Sequence, residues 1–286
     1  MTAPLIVNQT MRPSLDLQHI IEFFWYIKIP SNYPFAGEMV LPNGQIVLAL
    51  NLSDPMYVTE FSAIGPVKQR FQSVLFGQHN RGLWVEKNGE LELLCIYLKT
   101  EFLHHYCKIA VSAFAHSPLL PPHDVFGKTI GILEKSGRAG KSLTEKISLV
   151  EAIFRRYFCL QFYPDAIFLA AKKLIISSGG QLPIEKVSKD LAVPYKTWQR
   201  RFNSLLGISP KFFARTVRFV KVYQQMVLGQ GGDLMELALR HGYYDQNHFI
   251  KEFKYFTHHT PDKHIIHLLQ KLYKESLNEA ICSLRI

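Results

Sequence analysis

Residues 184–202 read Ile-Glu-Lys-Val-Ser-Lys-Asp-Leu-Ala-Val-Pro-Tyr-Lys-Thr-Trp-Gln-Arg-Arg-Phe, and residues 234–253 read Leu-Met-Glu-Leu-Ala-Leu-Arg-His-Gly-Tyr-Tyr-Asp-Gln-Asn-His-Phe-Ile-Lys-Glu-Phe. Each stretch is a short amphipathic helix, a turn of three to four residues, and a second helix with aromatics four apart. Trp198 with Phe202, and Phe249 with Phe253, fall on one face of their helices, where they predict a core. The remaining faces carry polar and basic side chains. This is the helix-turn-helix pattern, and it occurs twice.

Between the two copies, Pro210–Leu228 has helical spacing and predicts a rod of about 28 Å at 1.5 Å per residue. Successive major-groove faces of B-DNA lie about 34 Å apart. A rod of that length, widened by its flanking units, suits one chain that reads two consecutive turns. Further helices are expected over Asp165–Ser177 and Lys263–Ser276.

The charge follows the same division. The chain has 286 residues and a formal charge of +10; residues 1–160 hold 15 Lys/Arg against 13 Asp/Glu, and residues 161–286 hold 18 against 10. A basic half beside a near-neutral half points to a polyanion-binding module attached to something else. Hydrophobic residues at 48% exclude a disordered chain. No apolar run reaches the eighteen or so residues of a membrane span, and the first fifteen residues lack a signal-peptide pattern. Cys95, Cys107, Cys159 and Cys282 are far apart, which suits a reducing compartment. The expected location is the cytoplasm, with no membrane partner.

Ahead of residue 160 the pattern is β-rich. Apolar runs at Phe23–Ile29, Gln45–Leu50, Met56–Phe61, Gly82–Val85 and Leu91–Leu98 are broken by Pro42-Asn43-Gly44, Ser53-Asp54-Pro55 and Lys87-Asn88-Gly89. Asn-Gly between apolar runs is a hairpin signal, and strands at this spacing predict a sandwich or small barrel. Glu101–Lys108 and Lys141–Phe158 look helical, with Pro118, Pro121 and Pro122 in a loop between them. The fold class is therefore α+β: a β-rich, cupin-like barrel or sandwich followed by an all-α domain with two helix-turn-helix motifs. The expected division is a β-rich sensor or dimerisation domain over 1–140, a linker helix over 141–163, a DNA-binding domain over 164–270 and a tail over 271–286. The apolar stripe Leu143, Ile147, Val150 and Phe154 has two possible partners: its own β-domain, or the same helix of a second chain.

Gly207-Ile-Ser-Pro210-Lys-Phe-Phe-Ala-Arg215-Thr-Val-Arg218-Phe219 resembles the linker of AraC/XylS-type transcription regulators, and residues 242–261 resemble that family's second-motif signature. The resemblance covers roughly residues 165–267. Tyr223 stands where the family usually carries a small residue, and Val193-Pro194 replaces a small-polar turn. A weaker resemblance to the β-rich sensor domains of some members runs through Phe24-Trp25-Tyr26, Leu41-Pro42-Asn43-Gly44, Gly65-Pro66 and Leu93–Lys99. The family implies a bacterial, sequence-specific DNA-binding regulator under small-molecule control.

Family matching places base contacts at Lys196, Gln199 and Arg200. Arg pairs bidentately with guanine and Gln with adenine, whereas the bland alternative is a solvated helix face. Gln246, Asn247, Ile250 and Lys251 occupy the corresponding face of the second unit, for base reading or backbone anchoring. Arg201, Lys211, Arg215 and Lys254 are phosphate candidates. Expected partners are double-stranded DNA through its major groove and an unidentified effector, with RNA polymerase and a second copy of the chain as further candidates.

His104, His105 and Cys107, and His258, His259, His264 and His267, form clusters without zinc-ligand spacing. There is no H-x-H on the strands, no G-x-S-x-G and no phosphate-cradling Gly loop. Hence neither a cofactor nor an enzymatic activity is expected. Two alternatives stay open: a β-domain metalloenzyme with a helical appendage, and an RNA-binding protein, though RNP-type aromatics are missing.

Overall fold

The strand signals resolve into two facing antiparallel sheets in a computed structural model that describes residues 6–35, 37–62, 65–107, 111, 114, 118–158, 164–229 and 233–264. The strands are β1 (Val7–Met11), β2 (Ile21–Ile29), β3 (Glu38–Val40), β4 (Ile46–Asn51), β5 (Met56–Ser62), β6 (Gly65–Phe71), β7 (Val74–Phe76), β8 (Leu83–Glu86), β9 (Leu91–Leu98) and β10 (Leu119–Leu120). One sheet has the order β1-β2-β9-β4-β7-β10, the other β3-β8-β5-β6.

Helices complete the N-terminal half. These are α1 (Thr100–Phe102, continued by a π-helical turn Leu103–Cys107), α2 (Pro122–Phe126), α3 (Thr129–Ala139) and α4 (Leu143–Tyr157). The centre of the first sheet is covered on both faces. Along β9, Leu94, Ile96 and Leu98 pack towards the helices with Leu133, Val150 and Phe154. Leu93, Cys95 and Tyr97 pack between the sheets with Met56, Val58 and Val85. That is why Leu91–Leu98 reads as an unbroken apolar run rather than an alternation. Ile147, Val150 and Phe154 of α4 thus lie on their own β-domain, the first of the two alternatives for that stripe.

The hairpin expectation for the Asn-Gly pairs is corrected. Asn43-Gly44 joins β3 to β4 and Asn88-Gly89 joins β8 to β9, and each pair of strands belongs to different sheets. Both glycines have positive φ, +75° and +95°, so the turn chemistry is right. What the turn connects is set by the second sheet. Pro122 opens a short helix instead of lying in a loop, and α3 was not foreseen. Cys95 is a buried, free thiol that burial pushes up to about 12. Cys159 and Cys282 lie outside the described residues.

The C-terminal half is helical: α5 (Ala166–Ser177), α6 (Ile184–Asp190), α7 (Tyr195–Leu206), α8 (Pro210–Val227), α9 (Leu234–Arg240) and α10 (Gln246–Thr257). Asp165, Ser209, Asp233 and Asp245 each cap a helix N-terminus with their side chains, and Gly207 ends α7 at φ +76°. The helix expected over Lys263–Ser276 falls almost entirely outside the described residues. None of the described helices is long and apolar enough to cross a membrane.

Candidate nucleic-acid interface

Each helix-turn-helix unit has its own aromatic core. In the first, Trp198 and Phe202 are fully buried with Phe168, Val187, Phe213 and Val217. The indole of Trp198 donates to Ser188 Oγ at 2.8 Å and so ties α7 to α6. In the second, Phe249 and Phe253 are fully buried with Phe219, Val222 and Leu237. The turn of the first unit places Ala192 at φ +51°, whereas the second uses Gly242 at φ +83°.

Anchoring one face to the core leaves the other to solvent. Lys196 and Arg200 are exposed on α7 and Gln199 is half-buried beside them; Gln246, Asn247 and Lys251 are exposed on α10, with Ile250 half-buried. Lys211 and Lys254 are exposed as well. The structure therefore brings the sequence-derived readers into two separate solvent-facing rows. Asn203, exposed three residues after Arg200, extends the α7 row. Helical spacing alone could have found it.

Two arginines from that set have protein partners. Arg201 Nη1 donates to Asp165 Oδ2 at 2.9 Å. Arg215 forms a forked ion pair with Glu252 of α10 and also lies over the rings of Phe212 and Tyr255. Glu252 holds the Arg215 guanidinium above its usual range. Both side chains stay part-exposed beside these partners, at 43% and 36%.

A third arginine was missed. Arg218 donates to the carbonyls of Gly180, ahead of the first unit, at 3.0 Å and of Gly242, in the turn of the second, at 3.3 Å. An ideal Cβ on Gly180 would lie 2.0 Å from Ala214 O, so only glycine lets this backbone reach α8. A cleft lined by Tyr195, Lys211, Arg215, Arg218 and His248 runs between the units. Nearby, His241 is depressed in pKa, first by burial and then by the charges of Lys221 and Arg240.

Tyr223 fits without the small residue expected there. It is buried, and its hydroxyl lies 2.8 Å from His264 Nε2. His258 serves the domain junction: its ring stacks on Phe61 and Nε2 lies 3.3 Å from Gly82 O. Among the described residues no three His, Cys, Asp or Glu side chains converge as metal ligands.

A sequence profile described as a helix-turn-helix domain matches residues 187–265, and one described as a domain of unknown function (DUF6597) matches residues 9–119. No curated protein sequence matches the chain. Among solved structures, ToxT from Vibrio cholerae aligns over 91% of this chain and 98% of its own, at 9% identity and a TM-score of 0.45. Vibrio cholerae ToxT bound to (E)-4-(8-methylnaphthalen-1-yl)but-3-enoic acid aligns over 91% and 99%, at 10% identity and a TM-score of 0.45. An unsaturated fatty acid-bound ToxT from that organism aligns over 93% and 96%, at 10% identity and a TM-score of 0.42.

Proposed function

The C-terminal domain of this chain belongs to the AraC-type helix-turn-helix DNA-binding domains, and from that premise we propose a cytoplasmic regulator, with no catalytic role, whose two units read adjacent major-groove faces. The observation that carries the reading is the pair of solvent-facing rows on α7 and α10, held by one continuous helix. α8 has 18 residues, about 27 Å of rod. Lys196, Gln199 and Arg200 are the base readers of the first unit. Gln246, Asn247, Ile250 and Lys251 face the second groove, and Lys211 and Lys254 neutralise phosphate. The N-terminal domain binds a small effector that shifts the population of DNA-competent states. RNA polymerase and a second copy of the chain are the proposed protein partners. Because α4 spends its stripe on its own domain, a dimer must use another face.

Arg200→Ala tests the readout. Against a site selected from random sequence, the variant should lose about 1–3 kcal/mol and relax preference at one base position. Equal losses on selected and random DNA would make Arg200 a phosphate contact. Metal analysis of purified protein tests the metalloenzyme alternative: one tightly held ion per chain would favour it.

A further inference from the structure

The loop between β7 and β8 carries Arg81 and Gly82, and it is clamped to the last turn of α10. Gly82 N donates to Phe256 O at 2.7 Å, and its carbonyl oxygen lies 3.3 Å from His258 Nε2. An ideal Cβ on Gly82 would lie 2.7 Å from Phe256 O, so a side chain there would force the loop off the helix.

Beside this anchor Arg81 is exposed, and its guanidinium lies over the ring of Tyr255, 5.4 Å from the centroid. Arg215 lies at 5.3 Å from the same ring. The two arginines differ in what else they meet. Arg215 is forked onto Glu252, whereas no carboxylate among the described residues pairs with Arg81. Glu60 lines the same groove, but its carboxyl is pushed up by burial alone, with no cation drawing it down. A guanidinium over a ring still presents its N–H fork at the edge. Arg81 is thus a cation held in place and not neutralised.

We propose that Arg81 contacts a backbone phosphate at the edge of the major groove that α10 enters, so that the β-domain is itself part of the DNA-binding surface.

The reach follows from helix length. α10 has 12 residues, about 18 Å of helix. The major groove is about 12 Å wide, and reading helices of this motif meet base edges with their N-terminal residues. A helix that enters in this way runs past the groove by about 6 Å, roughly one turn. That last turn, with the exposed Lys254 and the half-buried Tyr255, then falls at a phosphate ridge. Tyr255 follows the exposed Lys251 by one turn on the same flank, so Arg81 continues the cationic side of the reading row. A phosphodiester offers the anionic oxygens that an arginine fork meets in pairs.

The proposal rests on the regulator reading, and a salt titration of the full chain separates the two. Affinity is measured from about 50 to about 200 mM salt, on a selected site and on random duplex. Arg81→Ala should flatten the log–log salt slope by about 0.9 on both duplexes, and Arg81→Lys should restore it. Thermal melting by circular dichroism reports on the junction, because Arg81→Ala also removes a ring contact. A lower melting temperature with a wild-type slope would make Arg81 a packing group and overturn the proposal. So would a variant unchanged in both, or a loss confined to the selected site. Should Arg81→Ala fail to fold, Arg81→Gln keeps most of the stem over Tyr255 and gives the same slope comparison. A wild-type chain whose affinity for duplex depends on neither salt nor sequence would instead count against the regulator reading.

Discussion

Glu92 is a charge held inside the first sheet. Tyr26 donates to it at 3.0 Å, Lys28 at 3.2 Å, and Lys146 of α4 lies 3.0 Å away. Burial by itself raises the pKa of this carboxyl. The bonds to Lys146, the charge of Lys28 and the Tyr26 hydroxyl outweigh it, and the net effect is a pKa below the ordinary 4.5. A group depressed on folding contributes stability that is complete above its unfolded pKa and is lost as pH falls through the folded one. Stability should therefore fall below about pH 4.5. Glu92→Gln should flatten that acid limb and cost about 1–3 kcal/mol at pH 7, because the part-buried Lys146 loses its carboxylate and Lys28 keeps only Glu90. Urea unfolding at pH 7 and pH 3.5 measures both. Acid limbs of equal slope would assign the loss to other carboxylates.

α8 is the element on which the DNA-binding half is built. Phe213, Ala214 and Val217 enter the core of the first unit, and Phe219, Val220, Val222 and Tyr223 enter that of the second. Arg218 ties the approach to the first unit and the turn of the second onto the rod, and Arg215 ties α10 to it through Glu252. Arg215→Ala leaves the mostly buried Glu252 without its partner. It should lower stability by about 1–3 kcal/mol and leave the salt dependence of DNA binding unchanged. A melting curve and a salt titration on one DNA duplex check the two halves of this. An unchanged melting temperature with a log–log salt slope flatter by about one would make Arg215 a phosphate contact after all.

At the scale of the whole molecule the two halves share surface. Gly82 N donates to Phe256 O at 2.7 Å, Phe61 stacks on His258, and Arg81 lies over Tyr255. We propose the domain division near residues 159–164. A fragment that begins near Gln161 should fold, since each unit has its own aromatic core. It should bind DNA with an affinity that falls steeply with salt. Its melting temperature should lie below that of the C-terminal half in the full chain, because Met39 and Leu41 no longer cover Phe219 and Phe253. Circular dichroism with thermal melting decides it, and an unfolded fragment would place the boundary elsewhere.

The second helices of the two units were legible in the sequence because helices are local. α7 carries Trp198 and Phe202 on one face as expected, and the buried set Trp198, Phe202, Leu205 and Leu206 repeats at three and four. Pro at N1, side-chain caps and a terminal glycine lie within a few residues of the helix ends they mark. The central strands were legible for a related reason: Leu91–Leu98 is apolar throughout, as burial on both faces demands. Sheet membership was not legible. Asn43-Gly44 and Asn88-Gly89 have the chemistry of hairpin turns, yet each carries the chain from one sheet to the other. β3 is three residues long with one charge, and only its contacts with β8 and α8 make it a strand with two faces. The pairing of Arg215 with Glu252, thirty-seven residues away, has no signal along the chain. Periodicity and capping are properties of neighbours along the chain. Strand partners, cavities and the sharing of a charge depend on contacts between distant segments, and those the tertiary structure alone decided.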